Sequence, residues 1–303
     1  MSVPQKVLIV GSVGLDDVTT PYGSVERVLG GAASYSSVAA SFFAPVAMVA
    51  VVGQDFPQSE RELFASRGID LSAMEERPGA TFRWAGEYGE DPNQAITKMT
   101  ELNVFAGFDP VLPETHRQIP FVFLANIDPS LQRQVLDQMS APAFTACDTM
   151  NFWITGKRDE LIEVLKRVDL VLLNDAEARM LTGRKLLVDA ADDLLALGPS
   201  WVAIKKGEHG ALLFGEGLHF SAPSYPLRRI VDPTGAGDCF AGALVGYLAR
   251  TGDLSRDNLR RAVVYGCTVA SFNVEDFSLR RLCALTADEI EQRFRELQEI
   301  ARF

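Results

Sequence analysis

The sequence has little cysteine, and its four cysteines are far apart, at Cys147, Cys239, Cys267 and Cys283. Neither a CxxC pair nor a Cys/His cluster occurs, so the spacing does not support a structural zinc site. Without a disulfide framework, these cysteines are expected to be reduced, mostly buried thiols in a cytoplasmic protein.

Positive charge is also scarce, with 29 Lys and Arg against 40 Asp and Glu and a net charge of −11. A surface that binds nucleic acid or anionic membrane normally carries a clustered excess of Lys and Arg. The charge balance therefore argues against both partners. Any phosphate that the protein binds is expected to be small and held locally.

Long apolar runs are missing as well, because no apolar stretch reaches the roughly 18 residues of a membrane span. The first residues, MSVPQKVLIV, lack the charged start, apolar stretch and cleavage site of a signal peptide. The sequence also shows no internal repeat, low-complexity tract or Pro/Ser-rich linker. It therefore predicts a cytoplasmic protein with a single main domain over residues 1–303.

Short apolar runs alternate with segments of helical period, which is the pattern of a sheet covered by helices on both faces. The runs are continuously apolar, which predicts strands buried on both faces and therefore largely parallel. The predicted strands are 6–13, 46–53, 121–127, 144–149, 169–174 and 201–207, and the predicted helices include 159–168, 188–198 and 287–302. The fold class is therefore α/β, a three-layer sandwich with a central, mostly parallel sheet.

Two segments interrupt this alternation, residues 16–28 and residues 81–106. Residues 81–88 and 95–105 have strand character and are joined by GEDPNQ, a turn-forming connection. Together with the polar segment 16–28, they predict a small antiparallel β sheet that stands off the main domain. A lid over a site and a dimer-forming edge are both compatible with such a sheet.

The stretch VDPTGAGDCFAGALV, residues 231–245, is rich in glycine where a helix is expected to begin. If a strand ends near residue 230 and the helix starts around Ala236, the N–H groups of Gly235, Ala236 and Gly237 are free donors. Such a helix start binds an anion through these donors and the helix dipole. Local sequence supports a phosphate site and an ordinary helix start equally.

Asp238 follows these glycines in the first helical turn. An acidic residue there complements the helix dipole, and Thr234 would serve as the cap of an ordinary helix. Two distant motifs favour a functional site instead, because both also lie at the carboxyl ends of predicted strands. Open α/β sheets bind their ligands at that edge.

The two motifs are NDAEA, residues 174–178, and KKGEHG, residues 205–210. In NDAEA, Asn174 and Glu177 have the spacing of a helix capping box, and the same groups suit phosphate oxygens and the waters of Mg²⁺. In KKGEHG, two glycines three residues apart predict a hairpin and also permit close backbone approach to a ligand. Taken alone, each motif is explained by local structure.

Two glycine features near the N-terminus complete the pattern. GSVGLDD, residues 11–17, lacks the third glycine of a dinucleotide-binding fingerprint, which argues against a dehydrogenase. Asp16 or Asp17 at the end of this strand would instead suit hydrogen bonding to substrate hydroxyls. In LGGAASYSSVAASFF, Gly30 and Gly31 open an alanine- and serine-rich helix. They permit close packing of that helix on the sheet or close approach to a polar substrate.

This set of motifs resembles the ribokinase-like, or PfkB, carbohydrate and nucleoside kinase family. The resemblance covers nearly the whole chain and keeps the family's order: an aspartate after the first strand, the GG pair, NDAE, KKGxxG and DPTGAGDCFAGAL. The GAGD segment is its specific part. The resemblance implies a ribokinase-like fold and a kinase that uses ATP and Mg²⁺ to phosphorylate a primary hydroxyl of a small sugar or polyol. A nucleoside kinase and a non-catalytic nucleotide sensor are the alternatives.

The resemblance also implies individual roles. Asp238 would be the general base, and Gly235, Ala236 and Gly237 would form the anion hole. The nucleotide-binding residues would be Asn174, Glu177, Lys205, Gly207, Gly210, Thr234 and Asn273, and the substrate-binding residues would be Asp16, Gly30, Gly31, Tyr35, Arg83, Asn126 and Asp238. Glu177 would hold Mg²⁺ through water, and Asp232 would lie at a monovalent cation site for K⁺.

One position departs from the family pattern. Members with simple sugar substrates usually carry asparagine five residues after the first glycine of the GG pair, where this chain has Tyr35. An aromatic ring there would either stack on a sugar ring or base or close a smaller pocket. Asp148 and Asn151 are further candidates near the substrate, although a capped strand-to-helix turn explains them equally well.

Overall fold

The computed structural model describes residues 3–215 and 217–302. Its strands are β1 (Val7–Val10), β2 (Gly14–Thr20), β3 (Gly23–Gly30), β4 (Val46–Gly53), β5 (Asp70–Arg77), β6 (Phe82–Tyr88), β7 (Ala95–Glu101), β8 (Phe121–Leu124), β9 (Phe144–Asp148), β10 (Leu170–Asn174), β11 (Trp201–Lys205), β12 (Ala211–Gly215) and β13 (Leu218–Ala222). Its helices are α1 (Ala32–Ser41), α2 (Gln58–Ser66), α3 (Pro129–Gln138), α4 (Asn151–Gly156), α5 (Arg158–Leu165), α6 (Asp175–Thr182), α7 (Leu187–Ala196), α8 (Ala236–Thr251), α9 (Arg256–Asn273), α10 (Arg280–Ala284) and α11 (Ala287–Ile300).

Nine strands of the described residues form the central sheet, in the order β13-β12-β11-β10-β9-β8-β1-β4-β5. The pairings from β11 across to β5 are parallel, and β12 and β13 extend the sheet as antiparallel neighbours. All eight residues of β4 are buried, as continuous apolarity predicts for a strand covered on both faces.

Successive residues of β1 show how the layers are built. Val7 and Ile9 belong to one buried apolar cluster, while Leu8 and Val10 belong to a second cluster on the opposite face. Side chains alternate across a strand, so each face of the sheet has its own core under its own helices. The predicted three-layer α/β fold with a mostly parallel sheet is confirmed.

Some predicted elements differ in extent. The strand expected at 6–13 ends at Val10, the strand expected at 121–127 ends at Leu124, and β5 was not predicted. Residues of β5 are mostly half-exposed, so this edge strand lacks the continuous apolar run that marked the others. The segment near residue 230 is not a strand, and α8 instead follows a loop.

The C-terminal helix α11 was predicted to bury one apolar stripe. Ile290, Phe294 and Leu297 are buried as expected. Ala301 is exposed and lies just beyond the end of the helix, so its inclusion in the stripe was wrong. The helix stops before a fourth residue can reach the core.

A second, smaller sheet has the strand order β3-β2-β6-β7. The β2–β3 and β6–β7 pairings are antiparallel, and β2 pairs with β6 in parallel. The turn between β6 and β7 reaches the main sheet, because a Cβ built on Gly207 would lie 2.0 Å from Oδ1 of Asn93. This sheet therefore meets the hairpin that connects β11 to β12.

The prediction of free, mostly buried thiols is confirmed. All four thiols are free, with Cys147, Cys239 and Cys267 buried and Cys283 exposed. Within residues 3–215 and 217–302, every helix is too short or too polar to cross a membrane.

Candidate active site

The carboxyl ends of three neighbouring parallel strands form the floor of the candidate site. β9 ends at Asp148, β10 at Asn174 and β11 at Lys205. The register aligns Leu172 with Asp148 and Asn174 with Lys205, so these polar residues lie side by side at one edge. This is the edge at which open α/β sheets bind ligands.

The first turn of α8 lies beside this edge. Gly235 is the residue before the helix and has φ of 73°, a left-handed conformation that favours glycine. Ala236 donates its N–H to the carbonyl of Pro233 at 3.2 Å. The prediction that this N–H is a free donor was therefore wrong. Within the described residues, the N–H groups of Gly235 and Gly237 have no acceptor in the protein, and they remain available to an anion.

The helix start does not use Thr234 as its cap. No side chain caps α8, and the Thr234 hydroxyl instead lies 3.3 Å from the hydroxyl of Tyr88 in β6. The alternative prediction, that Thr234 is the N-cap of an ordinary helix, is therefore wrong. Tyr88 was missed in the sequence because no spacing or motif marks it.

Tyr35 lies directly under this turn. Its side chain is 1% exposed, and a Cβ added to Gly235 would lie 2.3 Å from the Tyr35 ring. Stacking of this ring on an acceptor would require an exposed face that the ring does not have. The alternative prediction, that Tyr35 closes a smaller pocket, agrees with this packing.

Asp238 lies half-buried in a cluster of charged side chains. Burial, followed by the charge of the Asp148 carboxylate, raises the pKa of Asp238 to about 7, although the Lys205 ammonium opposes the shift. Lys205 Nζ itself lies 2.5 Å from Oδ2 of Asp148. A carboxyl group with a pKa near 7 suits general base catalysis at neutral pH.

Asn174 and Glu177 form the predicted capping box at the start of α6. The Asn174 side chain accepts from the N–H of Glu177 at 2.8 Å, and the Glu177 carboxylate accepts from the N–H of Asn174 at 2.7 Å. Burial and the neighbouring Asp148 carboxylate raise the pKa of Glu177 to about 7, against the opposing charge of Lys205. Both residues therefore have a structural role whatever ligand they contact.

The capping role predicts a stability effect that can be separated from a ligand role. Asn174→Ala is expected to lower the free energy of unfolding by about 1 kcal/mol, since it removes an N-cap acceptor. Asn174→Ser keeps an acceptor of similar quality and is expected to restore stability in urea unfolding. If the serine variant is as unstable as the alanine variant, the cap does not stabilise α6.

Two buried side chains, Asp232 and Asn273, hold the turn before α8 by hydrogen bonds to its backbone. Asp232 is buried, and its two oxygens accept from the N–H groups of Thr234 at 2.9 Å and Ser278 at 3.1 Å. Asn273 donates its side-chain amide to the carbonyl of Thr234 at 2.8 Å. Both side chains fix the backbone of the turn, and a monovalent cation at Asp232 stays a prediction.

Asp16 and the GG pair are in close contact with one another and with Ser12. Burial, with the charge of Asp232, raises the pKa of Asp16 to about 8, and its Oδ1 has no partner among the described residues. A Cβ on Gly30 would lie 1.9 Å from Asp16 Oδ2, and one on Gly31 would lie 2.5 Å from the Ser12 carbonyl oxygen. Close packing therefore requires both glycines, although Gly30 packs against the Asp16 carboxyl group rather than by helix-to-sheet contact.

The remaining predicted substrate residues have partners inside the protein. Arg83 in β6 forms an ion pair with Asp17. The Asn126 side chain accepts from the indole N–H of Trp153 at 3.0 Å, while Asn151 is exposed at the start of α4. Gly207 and Gly210 both have positive φ in the hairpin turn after β11, which explains both glycines without a ligand.

An open cleft of about 410 Å³ lies between the smaller sheet and the loop before α8. Its lining includes Tyr22, Tyr88, Glu208, Arg229 and Pro233, and the Arg229 guanidinium lies 4.3 Å from the centre of the Tyr22 ring. In the part of the chain that the structure describes, no group of three or more His, Cys, Asp and Glu side chains is arranged to hold a metal ion directly.

Comparison with known proteins gives consistent matches. A model of the "pfkB family carbohydrate kinase" matches residues 6–285. A cytidine kinase from Thermococcus kodakarensis is 31% identical over 248 residues, which are 80% of this chain and 88% of that protein. A putative ribokinase II from E. coli, solved with ATP and Mg²⁺, has a TM-score of 0.79 and 20% identity, covering 96% of this chain and 99% of that one. A nucleoside kinase from Methanocaldococcus jannaschii has a TM-score of 0.78 and 19% identity, covering 97% of this chain and 100% of that one.

Proposed function

The chain belongs to the pfkB family of carbohydrate kinases, and on that premise we propose that it transfers the γ-phosphoryl group of ATP to the primary hydroxyl of a nucleoside. Family membership makes it a phosphotransferase. The observation that carries the proposal is the position of Asp238, in the first turn of α8 beside the free N–H groups of Gly235 and Gly237.

In the proposed reaction, the ionised Asp238 carboxylate accepts the proton of the acceptor's primary hydroxyl. The acceptor oxygen then bonds to the γ-phosphorus as the bond to the bridging oxygen breaks and ADP leaves. The N–H groups of Gly235 and Gly237 donate hydrogen bonds to the oxygens of the transferring phosphoryl group. The positive end of the α8 dipole also stabilises the charge on these oxygens. Base and anion hole are adjacent in one helical turn, so the reacting groups are held together.

The nucleotide is proposed to lie along the carboxyl ends of β10 and β11. Asn174 and Glu177 would contact the triphosphate side, and Lys205, Gly207 and Gly210 would line the nucleotide. Glu177 fits a role near Mg²⁺, because burial disfavours its charged form despite the nearby Lys205, and a cation would stabilise that form. Bound Mg²⁺ would neutralise phosphate charge.

The acceptor is proposed to bind between the smaller sheet and Asp238, with that sheet acting as a lid. The unpartnered Oδ1 of Asp16 would accept from an acceptor hydroxyl. Similarity to a cytidine kinase over most of its length supports a nucleoside. A simple sugar or polyol is the second candidate, and requirements for K⁺ and a lid-mediated homodimer stay predictions.

A screen of acceptors tests this function. ADP release is measured with ATP, Mg²⁺ and K⁺ over nucleosides, free sugars and polyols. We expect cytidine or another nucleoside to give the highest kcat/KM, and a 5′-deoxynucleoside to give no turnover, because it lacks the attacking hydroxyl. Preference for a free sugar would replace the nucleoside assignment. Tight nucleotide binding without turnover on any acceptor would support a sensor.

A further inference from the structure

Lys205 occupies a position that nucleotide lining alone does not explain. Its side chain is 17% exposed at the end of β11, and its Nζ lies 2.5 Å from Oδ2 of Asp148, whose side chain is 4% exposed. A Cβ placed on Gly237 would lie 3.1 Å from Nζ. The ammonium group therefore lies against the first turn of α8, beside the proposed anion hole.

The charges around this ammonium are unbalanced. Carboxylates face it from three elements, Asp148 of β9, Glu177 of α6 and Asp238 of α8. Burial lowers the pKa of Lys205, but these three carboxylates together raise it above its usual range, so the lysine is charged. A triphosphate approaching three carboxylates is repelled, and Lys205 supplies positive charge at the point of closest approach.

We propose that Lys205 is a catalytic residue that contacts the transferring phosphoryl group, and that Asp148 is a positioning residue that holds the ammonium against α8. The inference rests on the proposed phosphoryl transfer and makes its site more specific. Lys205 donates hydrogen bonds to phosphoryl oxygens and transfers no proton. Preorganised donors at the position of developing charge stabilise the transition state more than the bound substrate.

A transition-state analogue separates this role from nucleotide lining. Calorimetry measures the affinity for ADP and Mg²⁺ with and without aluminium fluoride, which mimics the transferring phosphoryl group. We expect Lys205→Met to weaken ADP binding only slightly, because one side chain that lines the nucleotide is lost, and to abolish most of the tightening caused by aluminium fluoride. With an acceptor found by the screen, kcat is expected to fall about 10²- to 10³-fold.

The next residue provides a matched control. Lys206→Met removes the same charge one position along the chain, where the side chain is also half-buried. We expect this variant to keep both the aluminium fluoride effect and kcat. Lys205→Arg keeps the charge and is expected to restore part of the aluminium fluoride effect that the methionine variant loses.

The positioning role of Asp148 is tested by a double variant. If Asp148 acts through Lys205, Asp148→Asn lowers kcat in the native chain but causes no further loss in Lys205→Met. The double variant also removes both charges of the Lys205–Asp148 pair, so neither charge is left buried without the other. Additive losses would show that Asp148 acts independently of Lys205.

The outcomes distinguish this inference from the proposed function. If the native protein binds ADP but Lys205→Met keeps the full aluminium fluoride effect, the role of Lys205 is wrong and the kinase proposal stands. If Lys205→Met loses most of its affinity for ADP itself, Lys205 binds the nucleotide and does not act on the transferring phosphoryl group. If the native protein binds neither ADP nor ATP, the proposed function itself fails.

Discussion

Asp238→Asn is expected to lower kcat by about 10²- to 10⁴-fold, the contribution of a positioned general base. Asparagine has nearly the same shape but cannot accept the hydroxyl proton, so binding of ATP and acceptor is expected to persist. Steady-state ADP release measures kcat, and calorimetry measures nucleotide affinity. Loss of nucleotide binding together with activity would indicate that Asp238 holds the site together rather than acting as base.

The same residue predicts the pH dependence. A pKa of Asp238 near 7 means that the carboxyl group is protonated below pH 7 and ionised above it. Since only the ionised form accepts a proton, kcat/KM is expected to rise with pH through about 7 and then level off. If the native profile is flat between pH 5 and 9, the group that limits activity is not a carboxyl group in this environment.

Gly235→Ala is expected to lower kcat about 10²-fold, because small displacements of catalytic groups cost this much. The added methyl group would overlap the Tyr35 ring at 2.3 Å, and alanine would have to adopt φ of 73°. The turn must therefore shift, and this shift displaces both the N–H of Gly235 and the first turn of α8, which holds Asp238. Steady-state kinetics and thermal unfolding measure the two consequences separately.

The other end of α8 offers a matched control. Gly252 also has a left-handed conformation, with φ of 64°, but its nearest neighbour is the flexible end of Gln5 at 3.1 Å. Gly252→Ala therefore introduces a similar backbone strain, about 1–2 kcal/mol, away from the site. We expect it to lower stability and leave kcat unchanged. If both variants lose the same activity, general destabilisation explains the effect of Gly235→Ala.

A second variant tests the overlap itself. Tyr35→Ala combined with Gly235→Ala removes the ring that the new methyl group would strike. We expect the double variant to regain part of the kcat lost by Gly235→Ala, since the steric overlap is gone, although the backbone strain and a cavity in place of the Tyr35 ring remain. If Tyr35→Ala gives no recovery, Tyr35 does not set the position of the turn.

The sequence by itself determined the buried strands of the central sheet and the position of the glycine-rich start of α8. Strands buried on both faces must be apolar throughout, and this requirement made β4 and β10 visible as continuous apolar runs. The capping box of Asn174 and Glu177 depends on a spacing of three residues within one helix start. Local rules of this kind need no knowledge of distant contacts.

The tertiary structure alone decided which polar groups meet. Lys205 and Asp148 are 57 residues apart and are paired because β9, β10 and β11 are neighbours in register. Tyr35 lies under Gly235 because α1 packs on α8, so the tyrosine that departs from the family pattern supports the turn before α8 instead of facing solvent. Such contacts depend on strand order and helix packing, and local sequence pattern encodes neither.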